Sequence, residues 1–172
     1  MQQQLYWIKK NIPDGINDSK KLSEKNRKKL FYEIKKYADV GVGVGDVEKI
    51  DNINILQSSL WAMRQAVSCL KREPDLVLVD GNISINPQYN SVPIIKGDAI
   101  SLSIAASSII AKVIRDEIMI KFSYIFKDYM FDANKGYPTQ KHLAILKKIG
   151  PSAIHRFTFK PVIISRENLK NY

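Results

Sequence analysis

Three features of this 172-residue chain predict an α/β fold: a wholly apolar run at Leu76-Val77-Leu78-Val79, valines alternating with glycines from Val40 to Val44, and flanking segments whose apolar residues recur every three to four positions. An uninterrupted apolar run is what a strand covered on both faces requires. Period-two alternation marks a strand and the three-to-four period marks a helix. Strands and helices alternate along the chain, which is the order of an α/β fold.

Taken in order, Ser23 is placed to cap a helix over Glu24 to Lys36, with Leu30, Phe31 and Ile34 at helical spacing and a basic outer face. Tyr37 to Val47 reads as a strand whose glycines let it pack closely against a neighbour. The run Gly41-Val42-Gly43-Val44-Gly45 lacks the spacing and the lysine of a phosphate-binding loop, which argues against that reading. From Ile53 to Leu70, Leu56, Leu60, Met63, Val67 and Leu70 step by four and three, marking an amphipathic helix with Trp61 off its stripe and half-exposed. Leu76 to Val79 and Val92 to Ile95 are two short strands. Ile100 to Ile114 is so rich in Ile, Ala and Ser that it reads as a helix buried on most sides, continuing through Asp116. Thr139 caps a last helix that stops at Gly150-Pro151, with Lys147 and Lys148 complementing its dipole, and an irregular tail is expected after His155.

A chain of this length, 45% hydrophobic, can bury one sizeable core without staples, so one domain is the default. The formal net charge of +10 and the pI near 9.6 suit polyanionic partners but do not choose among them. The lone Cys69 excludes an internal disulfide and fits a reducing compartment. No apolar run approaches the roughly 20 residues of a membrane span. The expected protein is soluble and cytoplasmic, with no membrane attachment and no obligate protein partner.

The residues that carry chemistry stand at element ends. Asp80 leaves the apolar strand before Gly81, and Asp98 follows Lys96-Gly97 at the start of the Ala/Ser-rich helix. Paired carboxylates at such edges suit hard divalent cations, which want oxygen ligands and complete their shell with phosphate. For each alone the competing reading is structural, a strand-ending turn for Asp80 and an N-cap for Asp98. Asp18-Ser19-Lys20-Lys21 offers a hydroxyl and two ammonium groups to a phosphate, or is a solvated basic cap. Tyr137, in Lys135-Gly136-Tyr137-Pro138, can stack on a sugar or base, or be a buried loop tyrosine. His155 with Arg156 reads better as structural hydrogen bonding than as a catalytic pair, and Asp116 beside Arg115 better as a salt bridge than as a metal ligand.

In order, Asp18-Ser19-Lys20-Lys21-Leu22-Ser23, Asn54-Ile55-Leu56-Gln57, Val79-Asp80-Gly81, Ile95-Lys96-Gly97-Asp98, Ala105-Ala106-Ser107-Ser108-Ile109, Lys135-Gly136-Tyr137, and Gly150-Pro151 with His155-Arg156 closely resemble bacterial ribonuclease HII, from about Ile12 to Val162. The resemblance implies a ribonuclease H-like mixed sheet flanked by helices. It also implies an endonuclease that cuts the RNA strand of RNA/DNA hybrids or a lone ribonucleotide in duplex DNA, using Mn²⁺ or Mg²⁺. By the same resemblance, Asp80 and Asp98 match the last two of four metal-binding carboxylates, Tyr137 the tyrosine that stacks at the ribonucleotide junction, and Ser19, Lys20 and Lys21 a phosphate contact. The implied reaction is in-line attack by water on the phosphate 5′ of the ribonucleotide, with two cations bracketing the attacking and leaving oxygens.

The chain departs from the family at its start. Family members open on a strand carrying Asp-Glu and a Gly-Arg-Gly loop, then a second apolar strand; Met1-Gln2-Gln3-Gln4-Leu5-Tyr6-Trp7-Ile8 stands where that second strand ends and has no Asp, Glu or Gly. The expected division is therefore an atypical segment at residues 1–11, a ribonuclease H-like catalytic domain at 12–162 with its first strand or strands missing, and a tail at 163–172. Two carboxylates do not neutralise two cations about 4 Å apart, so this polypeptide alone is expected to be inactive or nearly so. The abrupt onset of motifs at Ile12 leads to the expectation of a truncated or frame-shifted product over a degenerate remnant, and the alternative function is an inactive, truncated remnant that binds nucleic acid without cleaving it.

Overall fold

The computed structural model of the chain describes residues 2–7 and 12–170. Its elements run β1 (Gln2–Trp7), α1 (Glu24–Tyr37), β2 (Ala38–Gly43), α2 (Val47–Ser68), β3 (Val77–Asp80), β4 (Ser91–Ile94), α3 (Gly97–Ile100), α4 (Leu102–Ile125), a 3₁₀ turn (Lys127–Tyr129), α5 (Phe131–Asn134), α6 (Gln140–Ile149) and α7 (Lys160–Lys170). They pack as two units. The first comprises the residues up to Gly45 together with Leu56–Ile114, the second Asp46–Ile55 together with the residues from Arg115 onward. No helix among the described residues is long and apolar enough to cross a membrane.

In the first unit, β1 and β2 form an antiparallel ladder from Gln2 opposite Gly43 to Trp7 opposite Ala38. β3 and β4 form a separate parallel one, Val77 opposite Ser91 to Asp80 opposite Ile94. The glycine alternation has a direct cause. A Cβ at Gly41 would lie 1.8 Å from the carbonyl oxygen of Ala66, and one at Gly43 1.8 Å from that of Ala62. The strand therefore lies against the backbone of α2, and the helix answers with alanine at i and i+4. On α1, Leu30, Phe31 and Ile34 are buried against Ala105, Ala106, Ile109 and Ile110 of α4. Ile34, Ile109 and Ile110 are wholly inaccessible, each worth about 1.5–3 kcal/mol of burial. A second cluster joins Leu60 and Val67 of α2 to Val77 and Val79 of β3 and to Ile85.

Backbone direction shows what β3 leaves open. The Val77 N–H donates to the Asn90 carbonyl (2.9 Å) and the Gly81 N–H to that of Ile94 (3.0 Å). Alternate residues thus face β4, and the backbone groups of Leu78 and Asp80 face the other edge. Among the described residues no strand pairs there. That edge borders a cleft of about 390 Å³, lined also by Leu5 and Trp7 of β1 and by Ser103, Ser107 and Ala111 of α4. The Trp7 indole N–H donates to Ser103 Oγ at 3.0 Å, holding β1 at the rim.

In the second unit, Tyr129, Phe131, Leu146 and Val162 form the core, and Tyr129 stacks on Phe131 with centroids 5.5 Å apart. Asp51 accepts from the Phe157 N–H (2.7 Å) and the Thr158 N–H (3.0 Å), tying its helical segment to the chain before α7.

Several expectations need correction. The helix expected over Ile53 to Leu70 begins after a break at Asn54, where φ is +63°, and a separate helical segment precedes it from Val47; Leu56, on the expected core stripe, is exposed. Asp98 does not cap the long helix: it lies in the one-turn α3, whose N-cap position is Lys96 in the left-handed conformation, and Ser101 separates α3 from α4. The irregular tail expected after His155 and over 163–172 is instead largely helix α7, with Val162 and Ser165 buried. The part of the 1–11 segment at Gln2–Trp7 is a strand, while 8–11 lie outside the described residues.

Candidate active site

Strand β3 delivers Asp80, exposed, at its last position, and the turn Lys96–Gly97 brings the start of α3 alongside. The Gly97 N–H donates to Asp80 Oδ1 at 2.9 Å, which fixes that carboxylate beside the segment carrying half-buried Asp98. The approach is close: a Cβ at Gly97 would stand 2.5 Å from Ile104 Cδ1, the movable end of that side chain, and 3.4 Å from Asp80 Oδ1. Gly81, with φ +115°, turns the chain away immediately afterwards. The structure thus sets the Asp80 carboxylate beside the short segment that carries Asp98. Among the described residues no group of three or more His, Cys, Asp or Glu is assembled to hold a metal. Two hard carboxylates of this kind fit one divalent cation whose shell is completed by phosphate and water, not a bracketed pair of cations.

The basic segment is a turn upstream of α1, not part of its first turn. The Lys21 N–H donates to the Asp18 carbonyl (2.9 Å) and the Lys20 N–H to Asp18 Oδ1 (2.9 Å). Arg27 Nη1 donates to the Ser19 carbonyl at 2.7 Å from inside α1. The result is a pinned loop with Ser19 buried and both lysine ammonium stems exposed. Ser23, which follows, caps α1 by accepting from the Asn26 N–H.

Tyr137 belongs to the second unit. Lys135 (φ +50°) and Gly136 (φ +75°) are both left-handed, and the Asn134 side chain accepts from the Gly136 N–H at 2.7 Å. This turn presents the Tyr137 ring half-exposed, with the Arg115 guanidinium 4.6 Å from its centroid. Arg115 also lies 3.8 Å from Asp116 Oδ1, so Asp116 is engaged with its neighbour. Arg156 stacks on Phe159 at 4.6 Å.

His155 is buried between Tyr129 and Phe131, with His142 Nε2 3.1 Å from its own Nε2. Burial, and secondarily the charge His142 would carry, push its pKa down to about 4. A histidine so depressed is neutral when folded and contributes stability above its unfolded pKa near 6.5, lost as pH falls towards 4. Urea denaturation at pH 7 and at pH 4.5 should show a loss of order 2 kcal/mol, and a His155→Gln variant should lose visibly less over the same window. Equal losses in the two proteins would refute this origin.

Sequence reasoning missed Gly97, Arg115, His142 and Ser152. Gly97 and Arg115 adjoin residues that were singled out. His142 had no signal beyond its place three residues after the Thr139 cap, where its own N–H is the one Thr139 Oγ1 accepts.

The sequence profile of the ribonuclease HII family matches residues 9–162. Ribonuclease HII of Zymomonas mobilis is 46% identical over 169 residues, covering 96% of this chain and 79% of that protein. That of Clostridioides difficile is 46% identical over 147 residues, covering 85% of this chain but only 58% of the relative's length. Among solved structures, ribonuclease H2 from Pyrococcus horikoshii superposes with a TM-score of 0.77 at 20% identity over 99% of each chain, a likeness of fold. The RNase HII of Archaeoglobus fulgidus, solved in complex with PCNA, gives a TM-score of 0.62 at 25% identity, covering 78% of this chain and 71% of that one. With its motifs, its fold and the profile match in agreement, the chain belongs to the ribonuclease HII family of divalent-metal-dependent ribonuclease H hydrolases.

Proposed function

We propose that residues 12–162 form the catalytic domain of a cytoplasmic endoribonuclease that cuts the RNA strand of RNA/DNA hybrids and incises duplex DNA at single ribonucleotides. The observation that supports this is the Gly97 amide bond to Asp80, which sets the carboxylate at the end of an apolar strand beside the segment carrying Asp98. These two side chains would hold Mn²⁺ or Mg²⁺. When bound, the cation supplies positive charge to the phosphate as the P–O bond is exchanged. The chain's own groups do the rest. The Gly97 N–H orients the Asp80 carboxylate, Lys20 and Lys21 neutralise backbone phosphates with Ser19 shaping their loop, and Tyr137 stacks on the nucleotide at the junction. Asp116, beside Arg115 whose guanidinium lies over the Tyr137 ring, and His155 act as supports, and Arg156 packs on Phe159.

A second reading has its own observation in favour. With no group of three or more metal-ligand residues among the described residues, the chain binds hybrid or duplex without cutting it. Cleavage of a DNA duplex bearing one ribonucleotide, with Mg²⁺ and with Mn²⁺, separates the two when this chain is compared with Asp80→Asn. Cleavage abolished in the variant supports the enzyme; salt-sensitive binding with no cleavage supports the binder. In either case, Lys20→Ala and Lys21→Ala should each weaken binding on all duplexes alike and lower the slope of log K against log salt by about 1. An unchanged slope would remove the turn from the interface.

A further inference from the structure

We propose that His155 is a positioning residue for Tyr137, acting through the tautomer it imposes on His142. This deepens the reading of Tyr137 as the junction-stacking residue and rests on it.

The hydrogen bonds leave one arrangement of protons. The Tyr137 carbonyl only accepts, and His142 Nδ1 lies 2.9 Å from it, so His142 carries its proton on Nδ1 and its Nε2 is bare. At the other end the Ser152 N–H only donates, and it points at His155 Nδ1 at 3.0 Å, with Ser152 Oγ at 2.8 Å from the same atom. His155 Nδ1 is therefore bare and its proton sits on Nε2, where it is donated to His142 Nε2 across 3.1 Å. The chain reads Ser152 N–H to His155, His155 to His142, His142 to Tyr137. Any other placement sets two donors or two lone pairs against each other inside a pocket lined by Tyr129 and Phe131. The depressed pKa of His155 agrees with its being neutral.

Tyr137 needs such a hold. The loop that presents it contains two successive left-handed residues, and one of them, Lys135, is not glycine. For a side-chain-bearing residue that conformation is disfavoured. The Tyr137 carbonyl accepts from the Thr139 N–H (2.8 Å) as well as from His142, and its N–H donates to Asn134 (2.9 Å), so three bonds set the backbone from which the ring projects. Only the His142 bond comes from a side chain, and it is the one a distant residue controls.

The test begins with the full chain labelled with ¹⁵N at histidine and long-range ¹H–¹⁵N spectra at neutral pH. The expected result is His142 protonated at Nδ1 and His155 at Nε2; His142 protonated at Nε2 overturns the proposal without any variant. Binding is then compared for a duplex with one ribonucleotide and for the all-DNA duplex. His155→Leu, which cannot donate to His142, should weaken the ribonucleotide duplex by about tenfold and leave the all-DNA duplex within about twofold, the scale of one lost base stack. His155→Gln, whose amide can donate, should recover most of the loss. Equal weakening of both duplexes, or no recovery by glutamine, marks a merely structural role and refutes the proposal. Tyr137→Ala distinguishes the underlying reading: if it leaves discrimination intact, Tyr137 is not the stacking residue; if it abolishes discrimination while His155→Leu does not, the relay alone fails.

Discussion

Joined to Gln2 through a short hairpin turn, an apolar strand that ends in an Asp-Glu pair should raise cleavage of a ribonucleotide-containing duplex by on the order of 10³-fold over the chain alone. The expectation starts from charge. Two divalent cations would carry four positive charges, of which the carboxylates of Asp80 and Asp98 would offset only half. Two further carboxylates complete the balance, and stabilising transition-state charge by several kcal/mol corresponds to a thousandfold or more in rate. The fold supplies the place. The backbone groups of Leu78 and Asp80 turn away from β4, and the cleft they border is lined also by Leu5 and Trp7. Ser103, Ser107 and Ala111, small residues on one face of α4, line it too. A strand seated there would pair with β3 and end beside Asp80. An Ala-Ala version of the same segment is the control: it should pair and stabilise the chain but leave cleavage low. Restored cleavage with Ala-Ala, or none with Asp-Glu in a stabilised protein, would show that the site is completed in some other way.

How much of this was legible in the sequence depended on whether the signal was local. Ser23 and Thr139 announced α1 and α6 because an N-cap needs a side-chain oxygen at one position, and both accept the bond expected of them. Gly41 and Gly43 announced close packing, though not against what, since the alanines that meet them stand about twenty residues on. The left-handed backbone at Lys96 and Lys135 was invisible, because no lysine advertises positive φ; the flanking elements impose it. The break between α3 and α4 was missed for a similar reason, as Ser101 and Leu102 are unremarkable inside a helix. Helix α7 was missed despite a usable cue, Pro161 in its first turn, followed by an apolar run. At the site, Asp80 and Asp98 were legible from their place at element ends. The dependence of Tyr137 on His142 and His155 was not, because it is made of bonds between side chains and backbone brought together only by folding.

Gly43→Ala should lower the stability of the chain by about 3 kcal/mol or more, a loss larger than most overpacked sites show, because what it meets is backbone. The added Cβ would stand 1.8 Å from the Ala62 carbonyl oxygen, 2.8 Å from its carbon and 3.0 Å from the Ala66 nitrogen. None of these atoms can swing aside as a side-chain end does, so β2 must lift from α2 by more than an ångström. Gly15→Ala is the comparison, since φ there is +80° but no atom lies within 4 Å of the new Cβ. It should cost only the conformational strain, about 1 kcal/mol. Urea denaturation followed by tryptophan fluorescence reads both, and with a slope of about 2 kcal/mol/M the midpoints should fall by roughly 1.5 M and 0.5 M. A Gly43→Ala midpoint within about 0.3 M of the parent would mean that the strand is not held against the helix backbone as described. The consequence reaches the site. β2 carries β1 through a six-residue ladder, and β1 places Leu5 and Trp7 in the lining of the cleft that Asp80 also lines. Loosening Gly43 should therefore move that lining, and an appended Asp-Glu strand should rescue cleavage less well in Gly43→Ala than in Gly15→Ala, even at temperatures where both remain folded.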